Sequence, residues 1–97
     1  APEILTVVVK NYYRHTDITL FPEHIYMPID KTTLLKYRLV ARSEHSGTMH
    51  GGHYWAICYR KNKWLNLNDT SVTDGNPAPT SNTYILFYHY EEIKRID

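Results

Sequence analysis

Tyr54-Trp55-Ala56-Ile57-Cys58-Tyr59-Arg60 is a run of aromatic and β-prone residues, and Lys61-Asn62-Lys63 separates it from a second such run, Trp64 to Leu67. Residues of these types favour strands, and a short polar turn between them dictates an antiparallel hairpin. Just upstream, Gly51 and Gly52 permit positive φ and close backbone approach. The chain is therefore expected to turn sharply there and to start its strand with His53 at the mouth. Folding the hairpin brings Asn68 back toward His53. An amide beside an imidazole fixes the orientation and tautomer of the ring, which leaves the other ring nitrogen free to take a proton from a nucleophile. Asn68 is the candidate orienting residue, and Asp69 is its polar neighbour.

The rest of the chain also reads as strands. Ile4 to Val9 is an almost continuous β-branched run, which predicts a central strand buried on both faces, with Lys10 to Tyr13 extending it toward a rim. His15-Thr16-Asp17 reads as a turn, and Ile18 to Leu20 and His24 to Met27 as short strands. Asp30 to Leu35 begins with an N-cap residue type and is read as one helical turn. Tyr37 to His45 is a longer strand entering the glycine-containing loop, and Thr83 to Tyr88 is another apolar one. Thr73 to Asn82, with Gly75, Pro77 and Pro79, is expected to be a loop. Glu91 to Asp97 is read as a solvated end or a helical turn. The fold class is mainly β, an antiparallel sheet or half-barrel, with residues 1–97 as one region.

Composition narrows the function classes. The 97 residues suit one small domain or part of a larger one, and no apolar run is long enough to cross a bilayer. A formal net charge of +1, with eleven Lys and Arg spread along the chain, gives no electrostatic reason to expect nucleic acid or membrane as a partner. One cysteine rules out an internal disulfide framework and any cysteine-based zinc site, and it suits a reducing compartment. Cys58 follows His53 by five residues, so strand alternation turns it to the opposite face and predicts a buried, inert thiol. His45, His50 and His53 lack the spacing of a zinc site, so neither metal nor other cofactor is expected. His50 is read as solvated. Ala1-Pro2-Glu3 shows no secretory signal.

The order of these elements resembles the carboxy-terminal half of the catalytic domain of ubiquitin-specific proteases. Pro2 to Lys10 is similar to the family's P-x-x-L strand ending in Lys, although Asn11-Tyr12 stands where most members have Arg-Phe. Tyr37 to Ala41 followed by His45-Ser46-Gly47 matches Y-x-L-x-A … H-x-G, and Gly52-His53-Tyr54 matches G-H-Y. Trp64 to Val72 matches W-x-x-x-[ND]-D-x-x-V, and Thr83 to Tyr88 resembles A-Y-x-L-x-Y with Thr for Ala. Several motifs in the right order carry far more weight than any one of them.

The resemblance implies the palm part of a papain-like α+β cysteine protease domain, with His53 as general base, Asn68 as its orienting partner and Asp69 as a polar residue of the same site. It implies that His45 and Tyr54 line the channel for the ubiquitin tail and that Gly51 and Gly52 lie on a mobile blocking loop. From the residues alone, His45 reads equally as a substrate contact or as edge packing. No Gly-Asn-Thr-Cys-type sequence is present, so the nucleophile is expected on an amino-terminal, cysteine-bearing segment. The partners implied are that segment and ubiquitin or ubiquitinated proteins, in the cytoplasm and/or nucleus. The alternative is a catalytically incomplete ubiquitin-binding or scaffold module. A third class is cleavage of ordinary peptides or of other ubiquitin-like modifiers.

Overall fold

The computed structural model describes residues 2–9, 22–48, 51–80 and 82–96. They form seven strands and no helix: β1 Ile4–Val8, β2 His24–Pro28, β3 Thr33–Thr48, β4 Gly51–Arg60, β5 Lys63–Asn68, β6 Ser71–Asp74 and β7 Thr83–Arg95. All belong to one antiparallel sheet of order β1-β7-β3-β4-β5-β6, with β2 on β3. The spine is the long pair β3 and β7, whose register runs from Thr33↔Arg95 to Glu44↔Thr83. The other edge of β3 is shared end to end, β2 taking Leu34 to Arg38 and β4 taking Ala41 to Thr48. The radius of gyration is 15.1 Å, against about 13 Å for a compact domain of this size, as expected of a broad sheet.

One face of the sheet holds the core. Val9, Leu35, Tyr37, Leu39, Leu86 and Tyr88 are buried together, and Leu5, Val7, Ile25, Met27, Trp64 and Tyr90 pack against them. The register explains the selection. Val7↔Leu86, Leu5↔Tyr88, Leu39↔Tyr88, Tyr37↔Tyr90 and Ile25↔Tyr37 are cross-strand pairs, and alternation sends each pair to the same side. The two buried tyrosines keep their hydroxyls satisfied, Tyr37 donating to the Pro2 carbonyl at 2.6 Å and Tyr88 to the Pro22 carbonyl at 2.8 Å. Burial pushes the Tyr88 phenol pKa above its ordinary value.

Several expectations are corrected. Among the described residues β1 is an edge strand, paired only to β7, and its burial alternates, with Ile4 and Val8 exposed. A β-branched run favours any strand and does not by itself report burial on both faces. Asp30 caps no helix. Its Oδ1 accepts the Thr32 N–H at 2.9 Å, which shapes the turn between β2 and a β3 already extended at Thr33. Thr73 and Asp74 belong to β6, so the loop starts at Gly75. Glu91 to Arg95 continues β7, because the first residues of β3 pair with it and Lys36 bridges Glu91 at 3.3 Å. The readings of Lys10 to Tyr13, His15-Thr16-Asp17, Ile18 to Leu20 and His50 lie outside the described residues.

Candidate functional site

The hairpin predicted between the two aromatic runs forms, with a tighter turn. Arg60 and Lys63 pair directly, and the two residues between them, Lys61 and Asn62, have φ of 51° and 65°. Positive φ at both central residues matches the right-handed twist of the flanking strands. The β4–β5 register runs from Arg60↔Lys63 to Ala56↔Leu67, so one step further Asn68 stands opposite Trp55 and diagonal to His53. Strand alternation turns His53, Trp55, Ile57, Asn66 and Asn68 to the core-bearing face.

There the His53 Nε2 and Asn68 Oδ1 are 2.6 Å apart. A carbonyl oxygen can only accept, so Nε2–H donates and Nδ1 keeps its lone pair. The arrangement leaves one basic nitrogen, held in direction by the amide, on an exposed side chain. Asp69 does not make this bond. It opens the Asp69-Thr70 turn that carries β5 into β6 through the Asn68↔Ser71 pair, with a φ of 54° and an exposed side chain.

His45 and Tyr54 are brought together, but on the opposite face from His53. They are register partners on β3 and β4, with rings 4.4 Å apart, and Tyr84 meets Tyr54 edge-on at 6.2 Å. Gly51 and Gly52 are not in a loop. They begin β4, pairing with Thr48 and Gly47, and a positive φ of 102° falls at Gly47. Gly52 has a different steric role, because a Cβ there would fall onto the His45 ring. The expected sharp turn at Gly51-Gly52 is thus replaced by a paired strand start whose missing side chain makes room for His45.

Cys58 faces away from His53, as alternation requires. It is half-buried rather than fully buried, in an apolar groove with Leu65, Leu67 and Val72. Among the described residues, no three His, Cys, Asp or Glu side chains converge as a metal site would require.

Sequence reading missed a polar cluster behind the histidine. Arg42 and Glu44 are 1% and 2% exposed on the core-bearing face, joined by an Nε to Oε1 contact of 3.1 Å. Thr80 donates its hydroxyl to the same Glu44 oxygen at 3.0 Å, and the Arg42 guanidinium lies 5.6 Å from the centre of the Trp64 ring. Both Arg42 Nη atoms, Glu44 Oε2 and Asn66 Oδ1 are buried without a hydrogen-bond partner among the described residues. Glu44 is in register with Trp55, whose indole stacks on the His53 imidazole with centroids 5.5 Å apart and planes at 22°. The i, i+2 spacing of His53 and Trp55 on one strand was the available signal for that contact.

The family model for ubiquitin carboxyl-terminal hydrolase matches residues 1–88. Ubiquitin carboxyl-terminal hydrolase 2 of Homo sapiens is 34% identical over 102 residues, an alignment covering 90% of this chain and 17% of that protein. Ubiquitin carboxyl-terminal hydrolase 21 of Rattus norvegicus is 39% identical over 61 residues, covering 61% of this chain and 11% of that one. The chain thus spans only a small part of the length of the curated relatives it matches. Among solved structures, a yeast SAGA DUB module superposes with a TM-score of 0.76 at 21% identity, covering 96% of this chain and 24% of that chain. A SAGA DUB module bound to ubiquitin aldehyde gives 0.73 at 23%, covering 96% and 25%. These likenesses establish the fold, and the match of the family model across most of the sequence places the chain in the ubiquitin carboxyl-terminal hydrolase family.

Proposed function

We propose that residues 1–97 are the histidine-bearing palm portion of a thiol-dependent deubiquitinase, which hydrolyses the peptide or isopeptide bond after the terminal glycine of ubiquitin. The observation that carries this reading is the 2.6 Å His53 Nε2 to Asn68 Oδ1 contact. It leaves Nδ1 as the base, and a cysteine outside these residues is the nucleophile. His53 Nδ1 takes the thiol proton, and the Asn68 oxygen steadies the imidazolium through Nε2–H. The thiolate attacks the glycine carbonyl carbon, the carbon–nitrogen bond breaks, and Nδ1–H protonates the departing amine. Water, deprotonated by the same nitrogen, then cleaves the thioester. Asp69 shares the rim of this site. His45 and Tyr54, on the face of β3 and β4 opposite His53, and the Gly51-Gly52 strand start contact the ubiquitin tail at the edge of the sheet as it approaches the site. A reducing compartment, cytoplasm and/or nucleus, keeps such a thiol active.

The test treats the intact protein with ubiquitin bearing a cysteine-reactive carboxy-terminal electrophile and measures intact mass, then follows hydrolysis of a ubiquitin amide. An adduct on a cysteine other than Cys58, and a fall of at least about a thousandfold in kcat for His53→Ala, are expected. Full turnover by His53→Ala would overturn the assignment of the base. An adduct on Cys58 would overturn the placement of the nucleophile. Ubiquitin binding without adduct or turnover would leave a ubiquitin-binding module in place of an enzyme.

A further inference from the structure

His53 is exposed, and among the described residues one hydrogen bond, to Asn68, holds its ring. One such bond fixes the distance to one ring atom and leaves the plane of the ring free to tilt about it, in competition with water. A general base needs that plane fixed, because the Nδ1 lone pair points along it. Among the described residues, the aromatic ring against His53 is that of Trp55, two residues along the same strand, with ring planes inclined by 22° and centroids 5.5 Å apart. Trp55 is not among the residues packed on the hydrophobic core. It stands instead between two polar partners in the sheet, in register with Glu44 on β3 and opposite Asn68 on β5. Glu44 is itself held by Arg42 and Thr80, so the neighbour behind Trp55 is buried and anchored.

We propose that Trp55 is a positioning residue of this centre. It acts through His53: the indole face holds the imidazole plane, keeps Nε2–H on Asn68 and so keeps Nδ1 directed at the reacting thiol. The inference rests on the reading of His53 as the general base. An indole face also favours a cation over a neutral ring, so the contact strengthens when His53 carries the proton during the reaction. Ground-state binding of the ubiquitin tail does not involve it.

The experiment uses the intact enzyme and a fluorogenic ubiquitin amide, comparing Trp55→Leu, Trp55→Thr and Trp55→Phe, each alone and with Asn68→Ala. Trp55→Leu is expected to lower kcat by about three- to tenfold, the size of one aromatic stacking contact, with KM within about twofold of the parent. Trp55→Phe, which restores a flat face, should recover most of that loss. On the Asn68→Ala background the Trp55→Leu loss should shrink to under about twofold, because both residues act through the same ring. Trp55→Thr, β-branched and suited to a strand, gives the same readout if the leucine variant does not fold. Nitrogen-15 spectra of the imidazole give an independent one. The parent should show one tautomer protonated at Nε2, and Trp55→Leu a mixture.

An unchanged kcat, a loss confined to KM, or full additivity with Asn68→Ala would overturn the inference. If His53→Ala remains active, the reading of the base fails first. If His53→Ala is dead and Trp55→Leu fully active, only the role of Trp55 fails.

Discussion

At one end of the core-bearing face Leu35, Tyr37, Leu39, Leu86 and Tyr88 close on one another, none more than 5% exposed. At the other end, on the same strand β3, Arg42 and Glu44 are buried as completely, and beyond them stand Trp55, His53 and Asn68. The change falls at a bulge. Leu39 pairs with Tyr88 and Ala41 with Phe87, which leaves Val40 as an extra residue on β3. Before the bulge the inward residues are odd-numbered, and after it they are Arg42 and Glu44. One extra residue thus converts an apolar surface into a polar one without changing strand. The apolar end secures the fold, while the polar end carries costly buried groups whose value lies in what they hold in place.

The sharpest way to break this comparison is to remove one group from each end. Leu39→Ala should cost about 2–5 kcal/mol by opening a cavity. Glu44→Ala should cost about 3–5 kcal/mol, because it strands the buried Arg42 cation. The two losses differ in whether they can be repaired. Replacing both partners, Arg42→Met with Glu44→Leu, should return stability to within about 1 kcal/mol of the parent or above it, since well-packed apolar groups replace a buried ion pair without penalty. Denaturant unfolding of the intact protein measures all three. A double variant as unstable as Glu44→Ala alone would show that the pair is required by the fold itself.

The hairpin of β4 and β5 was legible because its turn is local, and the juxtaposition of His53 with Asn68 follows from that turn by simple alternation. The bulge at Val40 was not legible. Alternation counted from Tyr37 and Leu39 points Arg42 and Glu44 outward, and nothing in residues 37 to 45 announces an extra residue. The same limit explains β1 and the end of β7. Ile4 to Val8 has the composition of a central strand, and Glu91 to Arg95 that of a solvated end. Their actual places are set by long-range pairing, with β1 taking the outer edge of β7 and Thr33 to Lys36 recruiting the charged residues. Gly51-Gly52 was legible as a place where side chains are excluded, but not as a paired strand start, since the excluding group is the distant His45 ring.

The two tight turns on either side of β5 sharpen the contrast at smaller scale. Lys61 at φ 51° and Asp69 at φ 54° both hold a left-handed conformation that disfavours side chains. Lys61→Gly should stabilise the protein by up to about 1 kcal/mol and leave hydrolysis unchanged, because it relieves a turn remote from His53. Asp69→Gly relieves the same strain next to Asn68. It should also raise the unfolding midpoint, but lower kcat by a few-fold by loosening Asn68, the residue proposed to orient His53. Paired melting curves and kinetics distinguish the two turns, and equal effects on kcat would remove the distinction between them.

The smallest effect belongs to the apolar end and depends on pH. The Thr32 N–H, with help from the Thr33 hydroxyl, holds the Asp30 carboxyl below its usual pKa of 3.8. A carboxylate whose folded pKa is depressed contributes stability that is present above its unfolded pKa and is lost as pH falls through its folded pKa. Asp30 is fully exposed, so the contribution is small and sensitive to salt. Asp30→Ala removes the acceptor of the turn between β2 and β3. It should lower the unfolding midpoint slightly at neutral pH, and the difference from the parent should vanish as acidification passes through the lowered pKa of Asp30. Thermal melts of both proteins between about pH 2 and pH 7 test this. A difference that persists undiminished in acid would mean that Asp30 acts through its shape in the turn and not through its charge.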